Sequence, residues 1–323
     1  MWAFVGRRVL QAALVVFLVS SLTFFLVHLA PGDPFSGTLS DARVSEAVRQ
    51  QWRTAFGLDR PLADQYWLYL RNVARGDLGY SFSTNRPVSA ALADAIPNTL
   101  LLMGVALVAS FAIGVGLGIV QAARRRSIVD RALTGASLFV YSMPDFWLAA
   151  MVMLLLGYWV PVFPVSGMLD PVIHDYLGFW GRVRDIAYHM VLPAATLTLL
   201  SAAGIARHQR SAMLEASSKD FVLVARAKGA TERQVVLRHV FRNALIPVIT
   251  LLGLAFPYLL GGSVFVEKVF SWPGMGYLTV QAIGTRDYPL VTAAVLIGSL
   301  LVTLGNLLAD LLHAWADPRV RAH

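Results

Sequence analysis

The sequence predicts an all-α, polytopic membrane protein with six transmembrane helices. Composition is the first reason: of 323 residues, 57% are hydrophobic and only 14% charged, with a mean hydropathy of +0.61. Soluble domains carry about a quarter of charged residues. The second is the recurrence of apolar runs near the roughly 20 residues that a helix needs to cross a bilayer. The third is the uneven sharing of Lys and Arg among the polar stretches between those runs, as the positive-inside rule requires. The net charge of +8 and pI of 10.0 do not point to nucleic acid, because the excess sits in loops at one end of the spans. The absence of Cys excludes disulfides, thiol nucleophiles and Cys-based metal sites. The His residues are scattered, with no HExxH pair, so no metal and no other cofactor is expected.

Val9–Ala30 is the first apolar run, preceded by Arg7 and Arg8. It is longer than a signal-peptide core and no small-residue cleavage pattern closes it, so residues 1–30 read as a tail and an uncleaved first span. Residues 31–96 are polar and mixed, open on the turn signal PGDP, and carry Trp52, Tyr66, Trp67 and Tyr69. A small external domain is expected there, helical over Ala42–Phe56 and Leu62–Val73. An interfacial aromatic belt accounts for some of those rings.

Residues 97–313 form the expected five-helix core. Pro97–Val120 is the second span, with Pro97 at the first helical position, where its missing N–H is no loss. Gly114 and Gly118 form a GxxxG pair, a spacing that lets helices approach closely. Arg124, Arg125 and Arg126 make a short inside loop. The third span is Ala132–Tyr158. Asp145 lies within it, directly after Pro144. An ionisable residue in a span marks a transport pathway by default. The alternative is that Pro144 breaks the helix and Asp145 caps its second half. Trp159–Ala187 is a second external loop, His189–Ala206 the fourth span, and Leu245–Val266 the fifth, loosened by Pro257 and Gly261–Gly262. Glu267–Pro289 is a short external segment, apolar enough to fold back onto the membrane face. Leu290–Leu312 is the sixth span, and residues 314–323 are a tail.

Six spans place both termini on one side. Of the 27 basic residues, 16 lie on the termini and in the loops assigned to that side, and only Arg182, Arg184, Lys268 and Arg286 in the short loops opposite. Both termini are therefore expected in the cytoplasm.

The segment Arg207 to Pro247 (207–247) is the one long, strongly charged run between two apolar ones. It is too polar for lipid and too patterned for a linker. Phe221, Val224 and Ala225 share one helical face; after Gly229, Val235, Val236 and Val240 repeat the spacing. Gly229 can take φ > 0 and end the first helix, and Thr231 can cap the second. The reading is a helix–turn–helix elbow with small residues at its tip, a surface another protein can approach closely. A plain basic loop that only enforces orientation is the alternative; a DNA-reading motif is not, since both ends are tied to lipid.

A set of strings runs through nearly the whole chain: LAPGDP (Leu29–Pro34), FGLDRPLADQY (Phe56–Tyr66), GDLGYSF (Gly76–Phe82), IPNTL (Ile96–Leu100), SMPDFWLA (Ser142–Ala149), ARAKGA (Ala225–Ala230), RHVFRNALIPV (Arg238–Val248) and VFSWPGMGYL, then RDYP (Val269–Pro289). In this order and spacing the chain resembles the membrane-spanning permease subunits of binding-protein-dependent ABC importers, in the dipeptide, oligopeptide and nickel branch. The resemblance implies a multi-pass protein of the bacterial inner membrane. Its implied partners are two ABC ATPase subunits, a second homologous permease and an external substrate-binding protein. It implies that the elbow docks on the ATPase through Ala225, Arg226, Ala227, Lys228, Gly229, Ala230, Arg233 and Arg238. Two departures are visible: Leu223 stands where the wider superfamily places Glu, and the NALIP run replaces its later Leu-Pro. The implied cargo is dipeptides or oligopeptides, with nickel, glutathione or short oligosaccharides as alternatives.

No GxxxxGK[ST] string occurs, so ATP hydrolysis must come from a partner and the chain is not expected to be an enzyme. An ion-coupled secondary transporter would need paired intramembrane carboxylates, and Asp145 stands nearly alone. A membrane-embedded enzyme would need a nucleophile–base pair that the spans lack.

Overall fold

The computed structural model describes residues 2–29, 59–261 and 263–316. The helix expected over Ala42–Phe56 and the end of the tail lie outside them. The fold is a polytopic bundle of α-helices. Among the described residues the one sheet is a two-stranded hairpin, β1 (Tyr80–Ser81) against β2 (Arg86–Pro87).

Helix α1 (Trp2–Leu29) carries the first apolar run. Outside it lies α2 (Leu62–Ala74), which leans on α1 through Tyr66, whose hydroxyl meets that of Ser21 at 2.7 Å, and through Tyr69, bonded to Ser20 and stacked on Phe24. Tyr66 and Tyr69 thus pack on the first span, while Trp67 stays exposed.

Helix α3 (Val88–Ala123) begins nine residues before the expected start, so Pro97 is an interior residue, not the first one. At 36 residues the helix is about 54 Å long, well beyond the roughly 30 Å hydrocarbon core. Some of its turns therefore lie beyond the hydrocarbon core.

The third span is not one helix. It is α4 (Ile128–Tyr141) and α5 (Asp145–Met153), the latter continued by a π turn over Leu154–Trp159, bent by 107° at the break. Pro144 has no N–H to donate and disfavours helix in Met143, which ends α4 there. A polar turn, Gly167 to Tyr176, comes next. Asp185 holds it: its Oδ2 meets Nδ1 of His174 at 2.6 Å and accepts from Asp170 N, and its Oδ1 lies 3.1 Å from Nδ1 of His189.

The fourth span is corrected from His189–Ala206 to α6 (Phe179–Ser217), a 39-residue helix about 58 Å long that passes without break through the first part of the expected elbow. Pro193 lies inside it. The elbow helix α7 (Asp220–Ala227) succeeds it. After Gly229 a short turn, Glu232–Gln234, and a π segment, Val235–Val240, lead into α8 (Phe241–Gly261). The fifth span thus ends at Gly261, short of the expected Val266. Two short helices, α9 (Val264–Val269) and α10 (Met275–Gly284), then lead to the last span, α11 (Tyr288–Ala316).

The core is a column of packed clusters. At one end Val88, Leu92, Leu278, Leu290 and Val291 pack α3, α10 and α11 together. In the middle Leu102, Leu148, Val152, Leu192, Phe270 and Trp272 join α3, α5, α6 and the α9–α10 turn. At the other end Met213, Val222, Ala225, Val235 and Val240 form the core of the elbow, against Ile119 and Ala122 of α3.

Candidate coupling surface

The elbow is a folded unit. Helix α7 ends in a Schellman turn: Ala230 N donates to Ala225 O at 3.2 Å and Gly229 N to Arg226 O at 2.9 Å. Gly229 has φ +84, and nothing lies within 4 Å of where its Cβ would be. Glycine is therefore required by backbone conformation rather than by crowding. Thr231 and Gln234 then form a reciprocal capping box. Across the turn the Arg226 guanidinium grips Glu232 with Nε to Oε1 at 2.8 Å and Nη2 to Oε2 at 3.2 Å. That contact holds the Glu232 carboxyl below the usual range and raises Arg226 above its own.

Which residues face out differs from the sequence reading. Val222 and Ala225 point into the elbow core, with Phe221 partly buried beside them. Val224, expected on that inner face, is exposed next to Leu223. The outward surface is thus Leu223, Val224, Ala227 and Lys228, flanked by Arg226 and Arg233, with Arg238 exposed on the π segment that follows. Ala225 and Ala230 support the surface rather than form it. Leu223 and Val224 were missed because apolar residues at consecutive positions cannot all sit on one stripe. That surplus was the signal.

The elbow is tied to the bundle. Arg210 of α6 gives Nε and Nη2 to Asp130 of α4 at 2.8 and 2.9 Å; Asp130 also accepts from Arg126 N, and Ser127 caps α4. Gly114 and Gly118 lie in the α3–α6 seam. A Cβ on Gly114 would stand 2.7 Å from Ile205 Cβ, and one on Gly118 2.6 Å from Gln209 Cβ and 2.7 Å from Ala206 O. Asp145 opens the first turn of α5, exposed, with no hydrogen bond or ion pair to it among the described residues; Pro144, not Asp145, occupies the capping position.

At the opposite end, Glu267 is fully buried and accepts from Thr99 Oγ1 at 2.9 Å, Gly276 N at 2.7 Å and Tyr277 N at 3.2 Å. Trp272 Nε1 donates to Asn98 O, and Asn98 Nδ2 to Pro273 O. Asp287 is likewise buried and accepts from Ser81 Oγ, Ser83 N and Ser83 Oγ. The strings IPNTL, SWPGMG, GYSF and RDYP are thus one another's partners.

Residues 1–103 match the N-terminal domain, and residues 114–322 the main domain, of the family described as binding-protein-dependent transport system inner membrane component. The chain belongs to this family. An oligopeptide transport system permease protein of Bacillus subtilis (strain 168) is 37% identical over 99% of both chains. A di/tripeptide transport system permease protein of Pseudomonas aeruginosa (strain UCBPP-PA14) is 38% identical over 99% of both. A glutathione transport system permease protein of Escherichia coli (strain K12) is 39% identical over 98% of both.

In this permease a cavity of about 320 Å³ opens between α3, α6 and α8, lined by Ser110, Phe111, Ser201, Ile205, His208 and Leu254 among others. Its walls are mostly apolar and carry no carboxylate. Among the described residues no cluster of His, Asp and Glu is arranged to hold a metal.

Proposed function

We propose that this permease is one of two pore-forming subunits of an ATP-driven importer of dipeptides or oligopeptides. The second subunit is a homologous permease, energy comes from two separate ATPase subunits, and an external binding protein delivers the cargo. The peptide assignment rests on relatives named for oligopeptides, for di- and tripeptides and for glutathione, itself a peptide. Nickel fits less well, because the cavity between α3, α6 and α8 offers a cation no carboxylate.

The observation that supports this reading is the elbow: an exposed apolar tip, Leu223, Val224 and Ala227, on a turn locked by a Schellman motif, a capping box and its own core. A partner closing on that tip pushes a preformed element. The push passes into α6 on one side and α8 on the other, and the bundle rocks between two orientations. The elbow and both termini face the cytoplasm in this reading, and the Glu267 and Asp287 knots face the binding protein.

The test is substrate-stimulated ATP hydrolysis by the reconstituted complex. Leu223→Asp and Gly229→Glu are expected to lower stimulation by about tenfold or more, the loss expected of a central contact residue, with membrane insertion unchanged. Wild-type stimulation in Gly229→Glu would sink the coupling role.

A further inference from the structure

One turn deeper into the bundle than Arg124–Arg126, a groove lies between α3, α4 and α6 that coupling does not use. Its walls include Gln121, Ser137, Leu138, Tyr141, Arg207 and Arg210. Gln121 is 2% exposed, and its Oε1 has no hydrogen-bond partner. Arg207 pairs with no carboxylate among the described residues; its guanidinium lies 5.2 Å over the Tyr141 ring. Arg210 commits Nε and Nη2 to Asp130, which leaves Nη1 for the groove. Arg207 is exposed at the mouth of the groove, and an exposed cation without a counter-charge, beside a second guanidinium with Nη1 uncommitted, calls for an anion.

The groove's surroundings say which anion. Leu138 is 56% exposed and Phe139 66%, on a helix of the membrane bundle, so the opening adjoins an apolar, outward-facing surface. The enclosed space is about 70 Å³, far below the roughly 300–1,000 Å³ of pockets that take a whole small molecule. A headgroup fits, with its tails outside; a free solute would leave the apolar rim uncovered. We propose that this groove holds the phosphate of an acidic phospholipid, its oxygens on Arg207 and Arg210 and an acyl chain along Leu138 and Tyr141. The lipid then bridges α4 and α6 beside the Asp130–Arg210 pair, in the leaflet that the elbow faces. Importer function is not needed for this inference, only a membrane-embedded chain.

The test uses the full chain, with whatever partners copurify, in detergent. Phosphatidylglycerol and phosphatidylcholine are added in equal amounts and retention is read by native mass spectrometry. Wild type is expected to prefer phosphatidylglycerol. Arg207→Gln is expected to reduce that preference by about tenfold, the loss of one charge-assisted contact. Ser137→Leu, which fills the groove and leaves both arginines, is expected to do the same, and it decides the matter should Arg207→Gln fail to fold. Arg125→Gln, exposed and outside the groove, is expected to change nothing. Equal retention of the two lipids by wild type, or full preference in both groove variants, overturns the proposal. So does displacement of phosphatidylglycerol by millimolar inorganic phosphate or by a dipeptide, which would assign the groove to a soluble anion.

Discussion

One two-pronged contact at the elbow end joins residues eighty positions apart: Arg210 and Asp130. The Asp130 side chain is only 4% exposed, so removing its guanidinium leaves a buried charge. Arg210→Met is expected to destabilise the chain by about 3 kcal/mol, read as a lower thermal midpoint in detergent. The double variant Asp130→Leu/Arg210→Met is expected to recover most of the loss. Destabilisation that simply adds would show that the pair is not the cause. Glu267→Ala is the matching change at the other end, leaving Thr99, Gly276 and Tyr277 without their acceptor at about 2–3 kcal/mol. The Arg226–Glu232 clasp follows pH in a fixed direction. Glu232 titrates lower in the folded chain than unfolded, so the clasp is fully present above the ordinary glutamate range and fades only as pH falls below it. Neither the Arg210–Asp130 nor the Glu267–Thr99 pairing was legible in sequence, because partners 80 and 168 positions apart carry no local period. The turn at Gly229 was legible, since its determinants, a φ > 0 residue and a cap, are neighbours in the chain.

At the scale of elements, the spans were legible as apolar runs and their ends were not. Helices α3 and α6 overrun the hydrophobic stretches that announced them, because flanking polar residues find partners there: Asp94 of α3 with Arg86, and on α6 Asp185 with His174 and His189 and Arg210 with Asp130. The break in the third span was half legible, since Pro144 marks it but only packing turns it through 107°. The glycine seam gives the element-scale prediction. Gly118→Val is expected to pry α3 from α6 and lose the folded chain, because its Cβ alone would lie 2.6 Å from Gln209 Cβ. Gly116→Ala, with nothing within 4 Å of the new Cβ, is expected to be tolerated. Equal tolerance of both, measured by monodispersity in detergent, would mean that the seam can open.

At the scale of the molecule, orientation is the claim with the plainest test. The sequence has only three lysines: Lys219 and Lys228 on the elbow, and Lys268 at the opposite end. Lys228 and Lys268 are both exposed. A membrane-impermeant amine reagent applied outside intact cells is expected to modify Lys268 and spare Lys219 and Lys228. The reverse pattern would invert the topology and with it the coupling reading. The family strings belong to this scale too. As sequence they mark kinship; in the fold IPNTL grips SWPGMG and GYSF grips RDYP, and together they lock that end of the bundle.

That lock sits at one end of α3, and the elbow core touches the other. Between them Gly114 and Gly118 hold α3 so near to α6 that even a methyl group finds no room. Helices that interlock this closely cannot slide past one another by a turn, since their ridges would have to climb out of their grooves. The two therefore travel as a single strut. In the coupling proposed above, displacement at the tip would then surface where helix already gives way, at the 107° break beside Pro144. That joint, rather than the long helices, would set how far the molecule can swing.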